Sequence, residues 1–292
     1  MALLTEETAA RLKRYQLQAR AIVEGFLVGL HKSPYHGFSV EFSDLREYNS
    51  GDPVKNIDWK IVAKTERYYV KRFEEETNLR CHIILDHSRS MFYGSGDSTK
   101  IDYACRLAAA LAWLMVGQKD AAGLVTFNER ITSMLPPKAY RGYLGQIFRV
   151  LAELEPKDST RLLENLHQIA SSIRKRSLII LISDLLDDPA RVIEGLKHFR
   201  SQHHEVLVFH ITDLQEDKFS FRQETEFVDS ETGEKIVVNP WQIRGEYLSR
   251  YSGHINQLKS GCHQYQVEYN PVSTATPLED LLLRYLLMRK KG

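Results

Sequence analysis

The stretch Cys81-His82-Ile83-Ile84-Leu85-Asp86-His87-Ser88-Arg89-Ser90-Met91 decides the fold. Its first five residues form a compact apolar run of the kind buried strands show, and the run stops at a carboxylate. Downstream, Ile101, Ala104, Cys105, Ala108, Leu111, Ala112 and Met115 recur at helical spacing, so Ile101 to Val116 reads as a helix. Gly123 to Phe127 is a second strand, and Ile131 to Leu135 reads as a short edge that Pro136 and Pro137 stop. Helices follow over Tyr143 to Leu154 and Leu162 to Ile173. Leu178 to Ile182 is a third, fully apolar strand that ends at Ser183-Asp184. Pro189 behind Asp188 opens a helix to about Phe199, and Val206 to Ile211 is the next strand.

Strands alternating with helices in this order predict an α/β fold with a doubly wound, mainly parallel sheet. The predicted core spans 79–213. The flanks read as an N-terminal segment, 1–78, with a helix over Glu6 to Leu30, and a C-terminal elaboration, 214–292, packed on the same sheet. In the latter, Phe227-Val228 and Lys235 to Val238 flank a hairpin turn at Asp229 to Glu234. A helix over Ile243 to Lys259, a strand near Gln264 to Tyr269 and a helix over Leu278 to Arg289 follow.

Composition limits the function classes. With 43% hydrophobic residues in a chain of 292, a sizeable core is available and disorder is excluded. Lys and Arg total 39 against 38 Asp and Glu, so no net field draws the whole molecule to nucleic acid or an anionic membrane. A charged partner must be met by a local site. Cys81, Cys105 and Cys262 form no Cys-x-x-Cys pair and read as buried thiols. Met1 to Glu7 carries no basic region ahead of an apolar stretch, and the apolar runs fall below the roughly 18 residues of a membrane span, so the expected location is cytoplasmic.

Ligands of such sheets sit at the carboxyl ends of the strands, where Asp86 and Asp184 stand. A loop leaving a strand can turn Asp86, Ser88 and Ser90 toward one point, and all three are hard oxygen ligands suited to Mg²⁺ or Mn²⁺. Ser159-Thr160, before the Arg161 helix, offers a further hydroxyl, and Asp184 a second carboxylate. The structural alternative is that Ser88 and Ser90 cap the following helix while Asp86 accepts backbone N–H groups.

This constellation resembles the metal-ion-dependent adhesion site of von Willebrand factor A domains. There an Asp-x-Ser-x-Ser loop, a Thr and an Asp from later loops hold an ion with one coordination position open, often filled by a partner's carboxylate. The resemblance implies Asp86, Ser88, Ser90, Thr160 and Asp184 as the metal set, with Ser183-Asp184-Leu185 standing where the commoner pattern has Thr-Asp-Gly. Gly51-Asp-Pro-Val-Lys-Asn-Ile-Asp-Trp59, Tyr69-Val-Lys-Arg-Phe-Glu-Glu-Glu76 and Ser95 to Lys100 further resemble the bacterial and archaeal family named domain of unknown function 58. That resemblance implies a von Willebrand A-like domain acting as a chaperone-like adaptor. Its implied partners are a MoxR-type AAA+ ATPase and a client protein bound through an acidic side chain.

Other motifs read as structural. Gly94 to Lys100 lacks the Gly-Lys-Ser/Thr ending of a phosphate loop and reads as a flexible loop beside the metal. His198, His203 and His204 read as a solvated helix end, Glu74 to Glu76 as a solvated face, and Arg289 to Lys291 as a charged tail. Trp59 reads as buried, with its N–H on a carboxylate. No Ser/His/Asp or Cys/His catalytic set is legible, so the expected protein is a binding module and not an enzyme. The rivals are a metal-dependent hydrolase, for which His87 is the available base but points away if Asp86, Ser88 and Ser90 face inward, and a scaffold that binds no metal.

Overall fold

A computed structural model describes residues 5–31, 45–47, 59, 62, 67–71, 79–96, 98–156, 161–221, 223–228 and 234–289. The chain forms two compact units, Val28–Asn78 by itself and Met1–Leu27 together with Leu79–Gly292. In the smaller unit, β1 (Leu45–Glu47) and β2 (Tyr69–Lys71) pair antiparallel with Arg46 opposite Val70. Trp59 is 58% exposed, which corrects its expected burial. Asp58 and the rest of the two motif stretches around it, 51–57 and 72–76, lie outside the described residues.

The larger unit is built on six strands in the order β10-β7-β6-β3-β4-β5. These are β3 (Arg80–Asp86), β4 (Ala121–Phe127), β5 (Ile131–Lys138), β6 (Leu178–Ser183), β7 (Glu205–Thr212) and β10 (Glu268–Ser273). All neighbours run parallel except β5, which pairs antiparallel with β4. Between them lie α2 (Lys100–Gly117), α3 (Leu144–Ala152), α4 (Leu162–Ser172), α5 (Pro189–Ser201), α6 (Leu214–Lys218) and α7 (Pro240–Gln264), with α1 (Glu6–His31) before the sheet and α8 (Leu278–Arg289) after it. The hairpin of β8 (Thr225–Val228) and β9 (Lys235–Val238) forms its own two-stranded sheet, and its turn, 229–233, lies outside the described residues.

Strand pleating sends alternate side chains to opposite faces, and here both faces are covered. Cys81, Ile83 and Leu85 of β3 face a core shared with α1, α2, α3 and α8, while Ile84 faces a second core shared with α4, α5 and α7. The result is a mixed α/β, Rossmann-like arrangement. Its strand order reverses direction between β3 and β6, because α2 carries the chain from β3 to one side and β6 opens the other side.

The helix and strand limits read from sequence hold to within about two residues for the elements from β3 to β7, with one exception. Pro136 and Pro137 do not stop β5, which runs on to Lys138. Both ends of the sheet order, β5 and β10, carry prolines, since an edge strand leaves one row of N–H positions unpaired. A register shift between Ala122 and Leu124 eases the passage, and Gly123 is required there because a Cβ would meet Leu135 O at 2.6 Å. In the C-terminal part α7 starts at Pro240, not Ile243, because the Asn239 side chain caps it at Trp241 N and Pro240 fits the first turn. The same helix continues to Gln264, which displaces the final strand to Glu268–Ser273.

Candidate metal centre

The reversal point between β3 and β6 is where the two expected carboxylates meet. Asp86 ends β3 and is 1% exposed. Its Oδ1 accepts the Ser88 N–H at 2.8 Å and its Oδ2 accepts the Ser183 hydroxyl at 2.7 Å, so the β6 end holds the β3 end directly. Burial pushes the Asp86 carboxyl up to about 7, the neighbouring Asp184 charge adds to this, and the serine hydrogen bonds oppose it. A buried carboxyl raised in this way holds its charge at a cost, which either a proton or a nearby cation relieves.

Ser88 and Ser90 follow on the same loop. Ser88 stands at the N-cap of a short 3₁₀ turn, Arg89–Phe92, but its side chain makes no capping bond there. Its hydroxyl instead lies 3.2 Å from that of Ser90. Two cis ligands at Mg–O distances of 2.0–2.1 Å are separated by about 2.9 Å, so the hydrogen-bonded pair would close by a few tenths of an ångström to form one edge of an octahedron. Backbone capping by Asp86, through Ser88 N, is present as the structural alternative required, whereas hydroxyl capping is not.

Asp184 follows β6 and is 3% exposed. The next residue, Leu185, has φ of 50°, in the left-handed region that glycine reaches freely. Its side chain is fully buried and its N–H bonds Ser183 Oγ at 3.0 Å, and these hold a conformation a leucine disfavours. The Leu185 that replaces the commoner glycine thus adopts a glycine-like backbone. Ser159 and Thr160 lie outside the described residues. Arg161, which follows them, has its N–H directed at Asn128 O just beyond β4, and Asn165 donates to the same carbonyl at 2.8 Å.

Sequence reasoning missed four residues that this end of the sheet uses. Lys100, the first residue of α2, is completely buried, and its Nζ bonds Asp184 Oδ2 at 2.8 Å and Glu216 Oε1 at 2.7 Å. Burial alone would lower the Lys100 pKa, but Asp184 and Glu216 outweigh it and hold the ammonium charged. Burial raises Glu216, with Lys100 pulling it back. Asp213, just past β7, accepts both the N–H and the hydroxyl of Ser95, and it closes a capping box with Glu216 on α6. Asp213 was findable by the strand-end rule that found Asp86 and Asp184. Lys100 was in view as the end of the Gly94 to Lys100 loop, but nothing in sequence shows that it turns inward; Ser183 had its signal in adjacency to Asp184, and Glu216 had none.

The remaining histidines are placed elsewhere. His87 Nε2 bonds Thr132 Oγ1 of β5 at 2.8 Å, away from the serine pair. His198 Nδ1 lies 2.8 Å from His167 Nδ1, while His203 takes a turn conformation. His204 is 1% exposed and accepts from Ser177 N, which corrects its reading as part of a solvated helix end. Cys81, Cys105 and Cys262 are buried free thiols. Among the described residues His, Cys, Asp and Glu nowhere gather in threes able to hold a metal, so an ion at Asp86 and Asp184 would depend on hydroxyls and water for its remaining bonds.

Residues 44–257 match the family described as Protein of unknown function DUF58. The chain belongs to this DUF58 family. It is 25% identical over 252 residues to Rv1480 of Mycobacterium tuberculosis H37Rv and to Mb1516 of Mycobacterium bovis, covering 84% of this chain and 78% of each relative; both are described as uncharacterized. Among solved structures it resembles BatB from Bacteroides thetaiotaomicron, with TM-score 0.49, 15% identity and coverage of 73% of this chain and 100% of that one. It also resembles an aerotolerance-related membrane protein from Bacteroides fragilis, with TM-score 0.46, 18% identity and coverage of 70% and 97%. A membrane spanning protein from Vibrio fischeri aligns with TM-score 0.22 at 16% identity, covering 73% and 99%.

The cytoplasmic placement expected from sequence is withdrawn: two of these solved structures are described as membrane proteins, a description that belongs to them, and the fold assigns this chain no compartment. Among the described residues no helix is long and apolar enough to cross a membrane, and that statement does not fix a compartment.

Proposed function

We propose that this DUF58 chain is a von Willebrand A-like interaction module that binds a partner protein through a divalent cation, Mg²⁺ or Mn²⁺, at Asp86, Ser88, Ser90, Thr160 and Asp184. One observation carries the reading. Two carboxylates from adjacent strand ends, one of them raised by burial and by the other's charge, stand with a pair of serine hydroxyls at the reversal of the strand order. The parallel sheet with one antiparallel edge and helices on both faces supports the von Willebrand A-like assignment.

In this reading Ser88, Ser90 and Thr160 supply hydroxyl oxygens and the two aspartates supply charge. The ion, when bound, supplies an open coordination position for an acidic side chain of the partner. Asp86 fixes the Ser88 backbone by accepting its N–H, and Ser183 fixes Asp86 in turn. The partner proposed is a MoxR-type AAA+ ATPase, with the module acting as adaptor toward a client protein; this part rests on the family resemblance. His87 Nε2 is held by Thr132 of β5, which counts against the hydrolase reading that would use it as base.

A second reading, a scaffold that binds no metal, is favoured by one observation: Lys100 already supplies a cation to Asp184. Capture of the ATPase on the immobilised full chain separates the two. Retention with Mg²⁺ that is lost in EDTA and in Asp86→Ala is expected; retention indifferent to EDTA contradicts the metal-dependent reading. Turnover of phosphate esters with Mg²⁺ would contradict a binding role outright.

A further inference from the structure

The Lys100 ammonium stands where the metal reading needs a cation. It is fully buried, reaches Asp184 Oδ2 at 2.8 Å and Glu216 Oε1 at 2.7 Å, and projects from the first turn of α2, whose N-cap is Thr99. A lysine that neutralises a proposed metal carboxylate does two opposed things. It stabilises the site without an ion, and it lowers the site's attraction for one.

We infer that Lys100 is a resident cation that competes with the divalent ion for Asp184 and thereby sets the affinity of the site. This inference rests on the metal-dependent reading above. Glu216 is the second half of the device. It gives the ammonium an alternative partner, so Lys100 can yield Asp184 to an incoming ion while remaining paired. Glu216 is held for that task by its bond to Asp213 N, by Tyr247 donating to Glu216 O at 3.0 Å, and by the capping box that Asp213 anchors. Like charges a few ångströms apart in a buried site repel by more than the 1.4 kcal/mol that equals a factor of ten. The effect is therefore large enough to measure.

The test is Mn²⁺ binding to the full chain by electron paramagnetic resonance, with thermal unfolding measured in EDTA and in Mn²⁺. Lys100→Met should bind Mn²⁺ at least about tenfold more tightly than the natural chain and should gain more thermal stability from Mn²⁺, because the ion replaces the lost ammonium. Lys100→Arg keeps the charge and should leave affinity within about threefold. Glu216→Gln removes the alternative partner and should weaken Mn²⁺ binding about tenfold. If the natural chain binds Mn²⁺ and Lys100→Met binds it no more tightly, the inference fails while the metal reading stands. Binding by Lys100→Met but not by the natural chain would support the inference and remove the metal reading for the natural chain. If no folded variant binds Mn²⁺, both fail. Should Lys100→Met not fold even with Mn²⁺, Glu216→Gln decides: unchanged affinity overturns the inference.

Discussion

The two ends of the central strands both bury polar groups, but they differ in how much charge they gather. At the carboxyl end stand Asp86, Asp184, Asp213 and Lys100, ionisable groups held by hydroxyls, backbone N–H groups and each other. At the amino end stand His82, His204 and Ser177, together with the carboxylate of Asp120, whose Oδ1 accepts the Leu79 N–H at 3.2 Å. Among the described residues His82 Nδ1 has no hydrogen-bond partner, and burial lowers the pKa values of both histidines, that of His82 to about 4. Uncharged groups are cheaper to bury than charged ones, so the charged cluster is the more costly of the two. The larger gathering of charge, Asp86, Asp184, Asp213 and Lys100, lies at the end where the proposed site stands.

The largest effect should come from breaking the charged end. In EDTA, Lys100→Met leaves Asp184 and Glu216 without their ammonium and should cost about 3–5 kcal/mol of unfolding free energy in urea, much of it restored by Mn²⁺. Ser183→Ala removes the hydroxyl that donates to Asp86 and accepts from Leu185 N, and should cost about 1–3 kcal/mol.

The histidines of the amino end should answer to pH with the sign set by their lowered pKa values. Below pH 6.5 the unfolded chain takes up protons that folded His82 refuses until about pH 4, so stability is lost as pH falls through that window. His82→Leu should flatten this acid limb by about 1–2 kcal/mol, measured by urea midpoints between pH 7 and 4.5. A control away from both ends sharpens the contrast. Asn239→Ala removes the cap of α7 and should cost about 1 kcal/mol, with no dependence on metal.

How far the sequence spoke also divides along these lines. Apolar runs and helical spacing gave β3, α2, β4, β6, α5 and β7 because covered parallel strands must be apolar throughout. They misjudged the edges, where Pro136 and Pro271 are tolerated for a reason, sheet order, that is invisible before the strands are assembled. At the proposed site, the placement of Asp86 and Asp184 at strand ends, with Ser88 and Ser90 in the loop that follows β3, was legible because it follows from the chain order. Lys100 and Glu216 were not, since their meeting with Asp184 spans 84 and 116 residues of separation between Lys100 and its two partners. Trp59 and His204 erred in opposite directions, one exposed and one buried, for lack of any periodic pattern around them.

The most direct test of the central claim is a calorimetric titration of Mn²⁺ into the full chain and into Asp86→Ala, with Asn239→Ala as the folded control. The account predicts a one-site isotherm for the natural chain and for Asn239→Ala, and its loss in Asp86→Ala. Equal uptake by Asp86→Ala, or none by the natural chain, would contradict it.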